Sequence, residues 1–189
     1  MERNNTVNQL LDIGETLLQT RGYHDFSFKD MATHVGIKTS SIHYYFPTKS
    51  DLARELIIRH TEDMAKILQG LRKPSRYKDQ LIEYIHAIAN STYGKGMRMC
   101  LGGMLAIDVL TLAPDVQEAI KAFFLLHETW LIQTLEKGRE AKEFKFSGDC
   151  APRARAILSY LEGLLLLSRL YKEEKRLMEF KDIVVLLSR

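Results

Sequence analysis

The sequence predicts an all-α fold of about nine helices. Apolar residues recur at three- and four-residue spacings along most of the chain, and no segment alternates as a half-buried strand does. Glycine and proline fall between these runs rather than inside them, where they act as helix stops and starts. Only four prolines in 189 residues leave room for long helices, and 46% hydrophobic residues can fill a core.

Each element follows from its own residues. In the first helix Val7, Leu10, Gly14, Leu17 and Arg21 share a face, flanked by Leu11 and Leu18, and the helix ends near Gly22. Ser27 is placed to cap a second helix, Phe28 to Val35. Phe26 before it and Met31 within it fit a hydrophobic staple, and Gly36 ends it. A short third helix, Thr39 to Phe46, buries Ile42 and Phe46 and is stopped by Pro47. Thr48 caps a fourth, from Lys49 towards Gly70, with Leu52, Leu56 and Met64 along it. After the break "GLRKPSR" comes a fifth helix, Tyr77 to Tyr93, and then the loop "GKGMRM". A sixth runs from Cys100 to Leu112, and Pro114 opens a seventh reaching Lys142. "EFKFSGDCAP" reads as a loop, so Cys150 is expected outside a helix. Arg153 to Tyr171 and Met178 to Ser188 complete the set. The expected division is a domain of residues 1–48 and a second of residues 49–189, joined by the helix over about 49–70.

Composition removes several classes of function. No apolar run approaches the roughly 20 residues that span a bilayer. The opening "MERNNTVNQLLDIGETLL" carries acids and asparagines where a secretory leader needs a basic and then an apolar region. Cys100 and Cys150 stand far apart, which suits a reducing cytoplasm and cannot build a structural zinc site. "GKGMRM" lacks the spacing and the preceding strand of a nucleotide-binding loop, and "HETW" lacks the second histidine of a zinc protease. No catalytic residue, metal or cofactor is called for. One reading of such a chain is a helical small-molecule carrier or enzyme.

The third helix carries the sharpest signal. The net charge of +3 is small, and residues 1–60 hold seven basic and seven acidic residues. Met31 to Ser50, however, holds Lys38, Lys49 and two histidines with no acid, the local asymmetry that a phosphate-facing surface needs. Two short helices joined at a glycine, the second polar outside, make a helix-turn-helix, whose second helix enters the DNA major groove. Thr39, Ser40, Ser41 and His43 then face base edges, while Lys38, Tyr44, Tyr45 and Lys49 suit phosphates at the flanks. Ser27 and the start of the second helix offer a further phosphate position. The plain alternative is a solvated helix with rings packed on a neighbour.

The run "TRGYHDFSFKDMATHVGIKTSSIHYYFPTKSDL" resembles the N-terminal domain of the TetR family of transcriptional repressors. The resemblance rests on Gly22-Tyr23, Ser27, Met31-Ala32, Gly36-Ile37, Ile42 to Phe46, Lys49 and Leu52, and covers about residues 7–55. It implies an all-α chain that reads DNA with its first three helices, holds an effector in the remainder and pairs through its last two helices. It also carries Thr39, Ser40, Ser41 and His43 to base-facing positions, and Tyr44, Tyr45 and Lys49 to backbone-facing ones. His43 departs from the tyrosine often found there, and Lys38 from a capping serine. The run from Met99 to Glu140 is similar to the middle of members that respond to reactive electrophiles. The implied partners are a palindromic double-stranded operator, a second copy of the chain, and a small-molecule or electrophile effector.

Beyond residue 70 the reading is physical. "AILSYLEGLLLLSRLY" is apolar nearly all round, as in a helix covered on both sides. Gly163, Leu164, Leu165 and Leu167, with Ile183 and Leu187 of the last helix, are the expected dimer interface; a central helix of a monomer is the alternative. Met97, Cys100, Met104, Phe123, His127, Trp130 and Tyr160 form a candidate effector pocket, set against ordinary core packing. Cys100 has two readings, a thiolate activated by a helix N-terminus, Arg98 and Lys95, or a buried inert thiol.

Overall fold

The computed structural model describes residues 2–71 and 76–182. Among them it shows α1 (Glu2–Arg21), α2 (Phe28–Val35), α3 (Thr39–Tyr45), α4 (Lys49–Gly70), α5 (Tyr77–Ser91), α6 (Leu101–Ile107), α7 (Pro114–Glu140) and α8 (Cys150–Tyr171), and no strand. Short 3-10 segments follow α5, α6 and α8, at Tyr93–Lys95, Val109–Thr111 and Glu174–Phe180. The chain gathers into two compact units. Residues 1–62 with 101–123 form the first, residues 63–100 with 124–189 the second, and α4 and α7 each contribute to both.

In the first unit, Leu10, Leu17 and Leu18 of α1 are buried with Met31 of α2, Ile42 of α3 and Leu52, Leu56 and Ile57 of α4. Burying each such side chain contributes roughly 2 kcal/mol. Gly14 permits the close approach, since a Cβ there would lie 3.4 Å from both Leu56 and Met31. Arg59 of α4 ties back to α1, donating to Asp12 at 2.7 Å and to Glu15 at 2.8 Å. His60 Nδ1 lies 3.3 Å from Glu15. Burial pushes the Glu15 carboxyl up, but hydrogen bonds and charge from His60 and Arg59 outweigh it and hold the group at about 2. Segment 101–123 packs here as well: Phe123 is buried against Gly102, where a Cβ would fall 2.4 Å from its ring.

The second unit buries Leu81, Tyr84 and Ile85 of α5, Trp130, Leu131 and Leu135 of α7, and Ile157, Leu161, Leu164 and Leu165 of α8. Trp130 Nε1 donates to the Leu68 carbonyl at 3.0 Å. Phe180, in the 3-10 segment after α8, is fully buried and meets the Tyr160 ring at 6.1 Å.

Three boundaries correct the sequence reading. α6 ends at Ile107 and gives way to a 3-10 turn rather than running on to Leu112. α8 starts at Cys150, capped by Asp149, which accepts from the Ala151 N–H at 3.1 Å. Pro152 misled the expectation of a loop, because proline is tolerated in a first helical turn, where its missing N–H is no loss. Cys150 is consequently helical and buried, and burial raises its thiol pKa. The expected last helix, Met178 to Ser188, begins instead inside the 3-10 segment, and Ile183 and Leu187 lie outside the described residues.

A candidate DNA-reading surface

Local chemistry builds α2 and α3. Ser27 caps α2 reciprocally with Asp30: the Asp30 N–H donates to Ser27 Oγ at 3.3 Å, and the Ser27 N–H donates to Asp30 Oδ2 at 2.7 Å. The Ser27 hydroxyl donates to the same carboxylate at 2.6 Å, which holds Asp30 below the usual carboxylate range. Ser27, expected to receive a phosphate, already faces an acid of its own helix. Phe26 and Met31 are both buried, as a staple requires. Gly36 ends α2 in the left-handed region (φ 75°), with its N–H on the Ala32 carbonyl at 2.9 Å.

α3 has few anchors. Ile42 is its one buried residue, Phe46 at its C-cap is the second hold, and Lys38 at the N-cap gives no side-chain hydrogen bond. Lys38, Ser40, His43 and Tyr44 are exposed, Tyr44 by 68%, while Thr39, Ser41 and Tyr45 are half-buried. Tyr44 and Tyr45 meet edge to face at 5.2 Å. The hydroxyl and aromatic groups the sequence singled out are all at least partly open to solvent, Ser40, His43 and Tyr44 the most.

Two of the expected DNA contacts also hold the exit of α3. His43 Nδ1 lies 3.1 Å from the Pro47 carbonyl, and its ring stands edge-on to Phe28 at 4.9 Å. Lys49 Nζ donates to the Phe26 carbonyl and sits 4.0 Å from the Phe26 ring centroid and 5.0 Å from that of Tyr23. Burial lowers the Lys49 pKa, and Asp30 and Asp25 partly restore it. Thr48 and Asp51 then cap α4 as Ser27 and Asp30 cap α2, at 2.8 and 3.1 Å.

The family model described as "Bacterial regulatory proteins, tetR family" matches residues 10–56. A TetR transcriptional regulator from Legionella pneumophila is 36% identical, each chain covering 96% of the other, with a TM-score of 0.85. The chain belongs to the TetR family. It is a DNA-binding transcriptional regulator, not an enzyme. A TetR-family regulator from Agrobacterium tumefaciens shares the fold at TM-score 0.93 and 24% identity, covering 98% of this chain and 99% of that one. The reduced form of NemR from E. coli does so at 0.82 and 22%, with 96% of each chain covered. No curated protein matches the chain.

The expected effector residues of this TetR-family regulator divide between the units. Met104 and Phe123 belong to the first, where the Met104 methyl group lies 3.3 Å from a Cβ position on Gly22. Met97, Cys100, His127, Trp130 and Tyr160 belong to the second. There the Tyr84 hydroxyl and His127 Nδ1 are hydrogen-bonded at 2.9 Å, and Tyr84 stacks on Trp130 at 5.1 Å. Burial first, then Glu162 and Cys100, raise the Tyr84 pKa well above its ordinary value, so the phenol stays neutral. Tyr160 is 41% exposed and lies at the margin. A pocket of 240 Å³ opens beside Trp130, lined also by Ala65, Leu68, Gln69, Leu126 and Thr129.

Sequence reasoning missed Tyr84 and Glu162. Tyr84 reads as an ordinary core ring, whereas Glu162, an acid inside an apolar run, was a usable signal. The Cys100 thiol donates to the Glu162 carboxyl, whose pKa is raised by burial and only partly lowered by that bond. Cys100 immediately precedes α6, as expected, and its side chain is buried. The Lys95 side chain lies outside the described residues.

Of the residues expected at a dimer interface, Leu164 and Leu165 are buried and Leu167 is 42% exposed, beside Leu166, Leu170 and Tyr171 at 53%, 67% and 55%. A Cβ on Gly163 would meet nothing within 4 Å. Among the described residues no helix is long and apolar enough to cross a membrane.

Proposed function

We propose that this regulator is a cytoplasmic homodimeric repressor that leaves a palindromic operator when a small molecule binds. Residues 1–48 serve as its DNA-binding domain and residues 49–189 as its effector-binding and dimerisation domain. The carrying observation is the exposed hydroxyl and aromatic face of α3 within a stretch, Met31 to Ser50, that has no acid. Thr39, Ser40, Ser41 and His43 read bases, and Lys38, Tyr44 and Tyr45 meet the backbone.

The exposed row on α8 supports the dimer, because large apolar side chains gathered on one helix face mark an association surface. A two-fold dimer presents two copies of α3 to two half-sites. The Tyr84–His127–Trp130 cluster and the adjoining pocket support an aromatic or apolar effector with a polar end. Whatever its identity, the effector releases DNA only by binding the DNA-incompetent state more tightly.

The test is selection of duplexes from a randomised pool, followed by titration with compounds at rising salt. Enrichment of an inverted repeat bound by a dimer is expected, with affinity falling steeply as salt rises. Enrichment of no duplex overturns the DNA-reading assignment of α3. An electrophile that still releases DNA from Cys100→Ser removes the covalent form of the effector reading.

A further inference from the structure

We propose that His43 reads an amino group on a base edge, adenine N6 or cytosine N4, through a lone pair at Nε2. This rests on the reading of α3 as the base-facing helix and gives one of its residues a defined chemistry. His43 Nδ1 lies 3.1 Å from the Pro47 carbonyl oxygen. A carbonyl only accepts, so Nδ1 must carry the hydrogen and donate it. In the neutral ring Nε2 is then left with its lone pair. The two ring nitrogens face different directions, so holding Nδ1 on the chain's own backbone turns Nε2 away from that carbonyl. The Phe28 ring, edge-on at 4.9 Å, restrains the imidazole plane, and the residue is exposed. The product is a fixed acceptor on a face otherwise made of hydroxyls, which rotate and both donate and accept.

In the major groove only adenine N6 and cytosine N4 donate, whereas guanine O6 and N7 and thymine O4 accept. A fixed lone pair therefore discriminates where a serine or threonine does not. A position held by His43 carries adenine or cytosine on the contacted base, and guanine or thymine there sets acceptor against acceptor.

The experiment uses the full-length protein and a duplex selected from a randomised pool at pH 8. Each half-site is scanned twice, once with bases lacking the amino group (purine for adenine, pyrimidin-2-one for cytosine) and once with 7-deazapurines. Each analogue is measured against wild type, His43→Ala and His43→Phe, the last keeping a ring against Phe28. For wild type we expect one amino deletion per half-site to weaken binding roughly tenfold, the scale of a good base contact. The same deletion should have less than a twofold effect in both variants, so that each variant cycle cancels any loss of duplex stability. The inference is overturned if the His43-dependent loss follows 7-deaza substitution, which would mean a donating nitrogen on N7. It is also overturned if no amino deletion depends on His43, or if both variants stay folded by circular dichroism yet bind no duplex. If selection enriches no duplex at all, the reading of α3 itself is what fails.

Discussion

Replacing Lys49 by methionine separates two roles for its ammonium, a contact to DNA phosphate and a tie within the helix-turn-helix. As a phosphate contact, its loss lowers affinity for all sequences alike and reduces the salt slope by about one. The structure also places its ammonium on the Phe26 carbonyl and against two rings, closing the chain across the helix-turn-helix. A charge-assisted hydrogen bond contributes about 1.5–3 kcal/mol and each exposed cation–π contact about 0.5–1. The ammonium is half-buried and loses hydration, so a net of about 2 kcal/mol is the reasonable figure. Lys49→Met keeps the stem and removes the charge. We expect the midpoint of urea unfolding to fall accordingly. Affinity for a selected operator should fall by up to about 30-fold, the equivalent of 2 kcal/mol, with an unchanged slope of log K against log salt. Tyr23→Leu, which removes one wall and no charge, should give a smaller loss of the same kind. A slope reduced by about one for Lys49→Met, with Tyr23→Leu indistinguishable from wild type, would refute the tie and restore the phosphate role.

Glu15 makes an acid-sensitive contribution. Its folded value of about 2 lies below the ordinary 4.5, so the stability it contributes is complete above pH 4.5 and is lost as pH falls towards 2. The shift corresponds to about 3 kcal/mol, or about 2 after solvent screening. Glu15→Gln should flatten that part of a urea-midpoint profile between pH 2.5 and 5, and an unchanged profile would remove the assignment. Gly102→Val sets a side chain on the Phe123 ring, where a Cβ already falls at 2.4 Å, and overpacking should destabilise by about 1–3 kcal/mol in thermal unfolding. Leu170→Glu, on the exposed row of α8, should shift light scattering towards monomer with the helical signal intact, whereas Leu165→Glu, in the protomer core, should lower the unfolding temperature itself. If the two behave alike, the assigned row is wrong.

What the sequence made legible was what a few neighbouring residues decide. Ser27 and Asp30, Gly36, Pro47 and Thr48 with Asp51 set caps and stops through contacts no more than four residues away, so α1 to α4 begin and end near where their residues say. The exposed face of α3 followed from helical period and two apolar anchors. The fate of a long flexible cation was not legible in the same way. Lys49 finds Phe26 across 23 residues, and the type and spacing of the residues between do not distinguish a caged ammonium from a solvated one.

α8 shows the same limit in another form. An amphipathic helix reveals its buried side through the phase of its polar residues, but a run apolar on every side carries no phase. Leu164 and Leu165 were therefore indistinguishable in sequence from Leu166 and Leu167, although the first pair is buried and the second is exposed. One phase marker was Glu162, an acid that sits on the inner side with Cys100. Read by habit, a charge in such a run points to solvent and would have turned the helix the wrong way round. Burying it has a desolvation cost that the Cys100 hydrogen bond only partly offsets, and its raised pKa records that imbalance. Glu162→Gln keeps the shape and removes the ionisable group. Were Glu162 there for packing alone, this substitution should stabilise the second unit and leave effector response intact. If its charge serves the response, the variant should gain stability and lose release of DNA, and that pairing would separate a tolerated burial from a functional one.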